Sequence, residues 1–140
     1  MKKGKKMERY KVILVDDEAE VIDMIEKKIH WNDLGFEVAG SATNGVKALE
    51  LVEKLQPDVV LTDIKMPYMD GLELSRRLNR EYPNIYIMLC TGFDEFEYAK
   101  EAVHLEIKEY MLKPVNATEL SESLTNLKHT LDREREEKLN

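Results

Sequence analysis

Apolar residues along the chain follow two alternating patterns. Short apolar runs, which are typical of strands, cover residues 10–15, 36–39, 59–62, 85–90 and 110–112. Between the runs, apolar positions recur every three or four residues, which predicts helices over residues 19–30, 46–55, 72–82 and 96–105 and from 117 onward. The chain therefore has the alternation of strand and helix that is typical of an α/β fold.

The strands are predicted to form a parallel sheet with helices on both faces. Residues 59–61 are apolar at every position, which indicates a strand that is buried on both sides. Right-handed connections between successive strands then fix most of the topology. The charged run at residues 132–138 is predicted to be a solvated end of the last helix.

The composition narrows the classes of function. The chain has 140 residues, enough for about one domain, with 21 Lys and Arg against 28 Asp and Glu, a formal charge of −7. Four of the lysines lie in the first six residues, so the remainder is more acidic still. This balance argues against nucleic-acid binding by this segment and favours cations or cationic partners.

The single cysteine and the lack of long apolar runs suggest where the protein acts. Cys90 alone excludes an internal disulfide and a cysteine-based zinc site. No apolar run approaches the length of about 18 residues that a membrane span needs, and the lysine-rich start is not followed by a signal-peptide core. We expect a cytoplasmic domain.

Polar residues that can carry chemistry follow four of the five predicted strands. Asp16 and Asp17 follow the first, Asp63 the third, Thr91 the fourth and Lys113 the fifth. Because the carboxyl ends of parallel strands meet at one edge of a sheet, these side chains are expected to share one site. Taken singly, an Asp after a strand is often only the N-cap of the next helix.

Three carboxylates in one place point to a cation and to phosphoryl chemistry. Like charges repel, so the cluster is easier to maintain with Mg²⁺, which binds one or two protein carboxylates together with phosphate oxygens. Asp63 could act as a nucleophile and form an aspartyl phosphate. Thr91 and Lys113 are the available donors to the phosphoryl oxygens.

Five motifs give the chain a family resemblance. They are VDDE at 15–18, TDIKMP at 62–67, DG at 70–71, TG at 91–92 and YMLKP at 110–114. In this order, each at a predicted strand end, they resemble the receiver domain of bacterial two-component response regulators, over about residues 10–128. The resemblance implies a flavodoxin-like, doubly wound (βα)5 fold with a five-stranded parallel sheet in the order 2-1-3-4-5.

The resemblance also implies roles for individual residues. Asp63 would be the phosphoacceptor and a Mg²⁺ ligand, Asp17 would bind Mg²⁺ directly, and Asp16 would bind it partly through water. The backbone carbonyl of Lys65 would be a further ligand, which leaves its side chain unconstrained.

Three more residues acquire roles by the same resemblance. Thr91 would be the switch hydroxyl, Lys113 would contact the phosphoryl group, and Tyr110 would be the aromatic residue that couples to Thr91. The resemblance implies a cis peptide between Lys113 and Pro114. Related receivers commonly have Gly where Glu106 stands, so Glu106 would be strained if its φ were positive.

The same family implies partners and a domain plan. A histidine kinase would donate the phosphoryl group, and the domain would be a switch rather than a turnover enzyme. The segments at 30–35 and 93–100 resemble receivers that precede an AraC-type DNA-binding output domain. Receivers often form homodimers through the fourth-helix, fifth-strand and fifth-helix face. The expected plan is a disordered basic tail at 1–8, the receiver at 9–130 and a charged helical extension at 131–140.

Three other functions fit the sequence less well. A phosphatase of the haloacid dehalogenase type would need a second Asp two residues after Asp63, where Lys65 stands. A flavodoxin-like cofactor module would need a phosphate loop, and the acidic residues 16–18 would repel a phosphate there. A degenerate receiver that serves only as a scaffold would lack some of the site residues, all of which are present.

Overall fold

Five strands form one parallel sheet. The structure is a computed structural model that describes residues 8–92, 94–95 and 105–139. The strands are β1 Tyr10–Val15, β2 Phe36–Ala42, β3 Val59–Asp63, β4 Tyr86–Thr91 and β5 Glu109–Leu112. They pair in the order β2-β1-β3-β4-β5. The predicted α/β class and strand order are confirmed.

Five helices are described beside the sheet. They are α1 Ala19–Lys28, α2 Trp31–Leu34, α3 Gly45–Leu55, α4 Gly71–Glu81 and α5 Ala117–Leu139. The helix predicted over residues 96–105 and the basic tail predicted over residues 1–8 fall almost wholly outside the described residues. None of the helices in the described ranges combines the length and the apolar character needed to cross a bilayer.

The sheet is buried on both faces. In β1, Val12 and Leu14 point into a core formed with α1, α2 and α5, whereas Ile13 and Val15 point into a second core with α3 and α4. Strand side chains alternate between the two faces, so a continuous apolar run fills both layers. This explains why residues 12–15 of β1 and residues 59–61 of β3 are unbroken apolar segments.

Two elements differ from the sequence prediction. Strand β2 continues to Ala42, past the predicted end at residue 39, because β1 supplies backbone partners for Gly40 and Ser41 after a bulge. Helix α1 ends at Lys28, and the separate short helix α2 follows. In α2, Trp31 is buried and its indole N–H donates to the Glu26 carbonyl at 3.1 Å.

The strain considered for Glu106 is not present. Among the described residues other than glycine, positive φ occurs at Gln56 and Tyr68. Glu106 instead forms two hydrogen bonds with the side chain of Asn79, which accepts from the Glu106 N–H at 2.7 Å and donates to its carbonyl at 3.3 Å. The loop therefore adopts a geometry that needs no glycine at this position.

The start of α4 lies directly against the end of β3. Asp70 caps the helix, since its side chain accepts from the Glu73 N–H at 2.8 Å. The next residue, Gly71, donates its N–H to the Ile64 carbonyl at 2.7 Å. A Cβ on Gly71 would lie 2.1 Å from the Asp63 carbonyl oxygen, so only glycine allows this close approach of two backbones.

Replacing Gly71 by alanine is expected to destabilise the fold strongly. The added methyl group meets backbone atoms of Asp63 and Ile64, which cannot rotate away. Overpacking of this kind costs about 1–3 kcal/mol or more in the free energy of unfolding, measurable by urea denaturation. Gly40→Ala is the matched control, because its new Cβ would meet only leucine side chains, that of Leu55 at 3.2 Å and that of Leu51 at 3.5 Å. Equal losses in the two variants would contradict the proposed backbone constraint.

Candidate metal site at the carboxyl edge of the sheet

Three carboxylates meet where β1 and β3 end. Asp16 and Asp17 follow Val15 directly, and Asp63 is the last residue of β3. Because β1 and β3 are parallel neighbours, their carboxyl ends lie side by side. One oxygen from each carboxylate lies within 4.8 Å of the others. The predicted clustering of these three residues is therefore present in the structure.

The cluster is buried on one side and open on the other. Asp16 is 3% exposed and Asp63 is 8% exposed, whereas Asp17 is exposed to solvent. Buried charged groups need hydrogen-bond partners. Backbone amides of the following residues supply them: Asp16 accepts from the Glu18 N–H at 2.9 Å, and Asp63 accepts from the Ile64 N–H at 2.9 Å.

Lys113 brings a positive charge between the two buried carboxylates. Its Nζ lies 2.8 Å from Oδ2 of Asp16 and 3.2 Å from Oδ1 of Asp63. The lysine backbone is held as well, because its N–H donates to the Thr91 carbonyl at 2.8 Å. The peptide bond between Lys113 and Pro114 is cis, as the family resemblance implies. The end of β5 thus delivers an ammonium group to a site built on β1 and β3.

The pKa values of the site follow from burial and from these charges. Burial and the neighbouring Asp16 raise the pKa of Asp63, while Lys113 opposes the rise. Burial alone would lower the pKa of Lys113, but its hydrogen bond to Asp16 and the charges of Asp63 and Asp16 outweigh burial and raise it. The lysine stays charged, and the site keeps an excess of negative charge.

The arrangement fits a small hard cation. Carboxylate oxygens are the ligands that Mg²⁺ prefers, and a site with one open side leaves room for the water molecules that Mg²⁺ retains. Three carboxylates and one ammonium leave a formal excess of two negative charges, which one divalent ion balances. The side chain of Lys65, two residues after Asp63, is exposed.

Two predicted residues lie near the cluster without joining it. Thr91 is buried at the end of β4, one residue beyond the Asp63–Cys90 pair, and its hydroxyl donates to the Gly92 carbonyl at 3.0 Å. Tyr110 lies in β5 opposite Leu89, half-buried against the core formed with α3 and α4. In the described part of the chain, no hydrogen bond links either hydroxyl to the carboxylates.

Sequence reasoning missed the residues that hold the carboxylates in place. The N–H groups of Glu18 and Ile64 orient Asp16 and Asp63, and backbone groups leave no signature in residue type. Gly71 has no side chain and therefore lets α4 begin directly against the Asp63 carbonyl. In the sequence, the feature that could have revealed this role is a glycine immediately after Asp70, the residue that caps α4.

Comparisons with known proteins point to the same family as the sequence motifs. The family model for the response regulator receiver domain matches residues 12–125. An uncharacterized transcriptional regulatory protein of Bacillus subtilis, YesN, is 42% identical over 125 residues, which are 89% of this chain and 34% of that protein. The transcriptional regulatory protein HptR of Staphylococcus aureus is 34% identical over 122 residues, covering 87% and 48% of the two chains. The chain thus spans less than half the length of these relatives.

Solved structures with 30% and 39% sequence identity to this chain share its fold. The receiver domain of AraT, a response regulator from Geobacillus stearothermophilus, has a TM-score of 0.86 and 39% identity, over 90% of this chain and 98% of that one. A two-component transcriptional regulator AraC from Clostridium phytofermentans has a TM-score of 0.83 and 30% identity, over 90% and 98%. With the family match over residues 12–125, these likenesses lead to one conclusion: the chain belongs to the response regulator receiver domain family.

Proposed function

We propose that this domain is a phosphorylation-activated switch of a two-component system, in which Asp63 accepts a phosphoryl group from a histidine kinase in the presence of Mg²⁺. The observation that carries the proposal is the placement of Asp63, which is buried beside Asp16 and in contact with Lys113, at a site where Asp17 is exposed to solvent. The Ile64 N–H donates to one oxygen of this carboxylate at 2.9 Å and so helps to hold it in position for attack.

The proposed reaction transfers one phosphoryl group. An oxygen of the Asp63 carboxylate forms a bond to phosphorus, the bond from phosphorus to the kinase histidine nitrogen breaks, and the histidine leaves with the electron pair. Asp16, Asp17, Asp63 and the Lys65 carbonyl would hold Mg²⁺, which when bound supplies positive charge beside the phosphoryl oxygens. Asp63 must be ionised to attack, and Lys113 favours that form.

Two donors would then change partners. Lys113 Nζ now bridges Asp16 and Asp63, and a phosphoryl group on Asp63 would offer it more highly charged oxygens. The Thr91 hydroxyl, now bonded to the Gly92 carbonyl, would turn toward the same group. Tyr110 is proposed to follow Thr91 and so to carry the change to the surface of β5.

The output is proposed to be transcriptional. The named relatives are transcriptional regulators, and the family is one of signalling proteins rather than turnover enzymes. We propose that residues 9–130 are the receiver, that residues 131–140 lead to an AraC-type DNA-binding domain, and that the protein acts in the cytoplasm. Exposed Lys108, Glu119 and Glu122 belong to the proposed homodimer face; Lys100 and His104 of that face lie outside the described residues.

Phosphorylation should be direct and should need Asp63. With Mg²⁺ and acetyl phosphate, we expect the intact mass to rise by one phosphoryl group, and with beryllofluoride we expect chemical-shift changes around the carboxyl edge of the sheet. Asp63→Asn keeps the shape of the side chain but lacks the nucleophilic carboxylate, so it should give neither response. An unmodified wild-type protein, or an equally modified variant, would refute the assignment; sustained hydrolysis of small phosphate esters would point to a phosphatase instead.

Removing the Asp63 charge should stabilise the fold when Mg²⁺ is absent. Two like charges at about 4 Å repel by about 4 kcal/mol at an effective dielectric constant of 20, and the lost attraction of Lys113 offsets most of that gain. We therefore expect the free energy of unfolding of Asp63→Asn at pH 7 to be higher by about 1 kcal/mol, measured by urea denaturation. A less stable variant would contradict this balance of charges.

Mg²⁺ should stabilise the wild type much more than variants that lack a carboxylate ligand. A ligand at a hundred times its Kd adds about 2.7 kcal/mol to the free energy of unfolding. Asp17→Asn separates metal binding from folding. Because Asp17 is exposed, its replacement should leave the metal-free stability near that of the wild type and reduce only the stabilisation by Mg²⁺. Equal stabilisation of the wild type, Asp17→Asn and Asp63→Asn by Mg²⁺ would refute the metal site.

The stability gained in Asp63→Asn should depend on pH. The pKa of Asp63 is raised in the folded state, so the ionised carboxylate carries a free-energy cost that develops as the pH rises through that pKa. Protonation removes the cost. The difference between variant and wild type should therefore shrink as the pH falls from 7 toward about 4, in denaturation curves recorded at several pH values. A difference that grows on acidification would show that the sign is wrong.

A further inference from the structure

The end of α5 continues past the apolar stripe that packs it on the sheet. The buried leucines of this helix are Leu120, Leu124, Leu127 and Leu131. The helix then runs on to Leu139, which is 82% exposed. At a rise of about 1.5 Å per residue, residues 132–139, here called the extension, are about 12 Å long. A short helical end without apolar contacts frays readily in water.

Two tyrosines at the amino edge of the sheet hold this extension. Tyr10 is the first residue of β1, and its hydroxyl donates to Oδ1 of Asp132 at 2.5 Å. Tyr86 is the first residue of β4, and its hydroxyl donates to Oε2 of Glu134 at 2.5 Å. We call these two hydrogen-bonded pairs the tyrosine clasp.

The Tyr10 side of the clasp is reinforced by cations on one helix face. Lys128 Nζ lies 2.7 Å from Oδ2 of Asp132, and the guanidinium of Arg135 lies 4.3 Å from the centre of the Tyr10 ring. Residues 128, 132 and 135 fall on one face of a helix. The hydrogen bonds from Lys128 and Tyr10 outweigh burial and lower the pKa of Asp132, so this carboxylate is charged at neutral pH.

The Tyr86 side is more exposed but has the same chemistry. Lys108 Nζ lies 5.8 Å from the centre of the Tyr86 ring. Burial and the neighbouring carboxylates raise the pKa of both Tyr10 and Tyr86 to about 12. Both hydroxyls therefore keep their protons and donate to the carboxylates over the whole physiological range.

The two pairs approach the helix from different sides. Residues 132 and 134 are two positions apart, which places their side chains about 200° apart around the helix. Strands β1 and β4 are separated by β3, so the tyrosines stand about 10 Å apart along the amino edge. The extension is thus held between two anchors and is restricted in its sideways motion.

We infer that the tyrosine clasp fixes the direction in which the C-terminal helix leaves the sheet. The described residues offer no buried apolar side chain beyond Leu131 that does this, and a groove of about 1000 Å³ lies between the extension and the loops that lead into β4 and β5. Polar contacts from Tyr10 and Tyr86 therefore do the positioning. This inference does not depend on whether Asp63 is phosphorylated.

Amide hydrogen exchange on the whole chain tests the clasp. In Tyr86→Phe and Tyr10→Phe only a hydroxyl is lost, and loss of one such hydrogen bond corresponds to about a three- to tenfold change in an equilibrium. We expect the protection of the amides of residues 135–138 to fall by that factor in each variant, and more in the double variant. Protection in α3 should stay unchanged, which separates local loosening from a general loss of stability.

Control variants and a second measurement complete the test. Tyr82→Phe removes a hydroxyl that makes no hydrogen bond within the described part of the chain, and should leave residues 135–138 as protected as in the wild type. Glu134→Gln keeps an acceptor and should retain more protection than Glu134→Ala. Spin labels on cysteines replacing exposed Lys54 and Glu137 should give a broader distance distribution in the double tyrosine variant. Unchanged exchange and unchanged distances would overturn the inference.

Discussion

Two buried carboxylates, Asp16 and Asp63, share one end of the sheet, and the ammonium group of Lys113 is what makes their closeness tolerable. Each carboxylate would pay a high desolvation cost without a partner. The lysine contacts both, so a single charge from β5 connects the ends of β1 and β3. The site remains negative overall, and that residual charge is the physical basis for binding a cation or a phosphoryl group there.

The rest of the fold supplies the rigidity that this arrangement needs. Strands buried on both faces cannot shift without disturbing two cores, so the ends of β1 and β3 stay in register. The amides of Glu18 and Ile64 then aim the carboxylates, and Gly71 lets α4 begin against the Asp63 backbone. A charged site of this kind is stable because the surrounding apolar layers leave its groups few alternative positions.

Residue patterns predicted the sheet and the cluster because both depend on side chains. Apolar runs fixed which segments are strands, and the polar residues after them marked the carboxyl edge. The predicted end of β2 at residue 39 was wrong. Pairing with β1 determines where this strand ends, and the low strand propensity of Gly40 and Ser41 does not. The bonds from Asn79 to Glu106, like the backbone amides at the site, arise from tertiary proximity that no local pattern encodes. Thr91 and Tyr110 could be placed on strands, but the hydrogen bond from the Thr91 hydroxyl to the Gly92 carbonyl could not be predicted.

Helix α5 combines two kinds of attachment, and the difference between them bears on how the domain transmits a change. From Leu120 to Leu131 a leucine stripe is buried in the core, where a shift of the helix would open cavities. Beyond Leu131, hydrogen bonds from two tyrosine hydroxyls to carboxylates take over, and a single hydrogen bond contributes only about 1 kcal/mol. The extension can therefore be redirected at a small cost while the core stays intact. Strand β4 runs from Tyr86 of the clasp to Thr91 beside the acidic site, so one element spans the distance between the two edges. Met88 and Cys90 of the same strand pack in the core that holds the leucine stripe, so of the two attachments it is the hydrogen bond at Tyr86 that can change without opening a cavity.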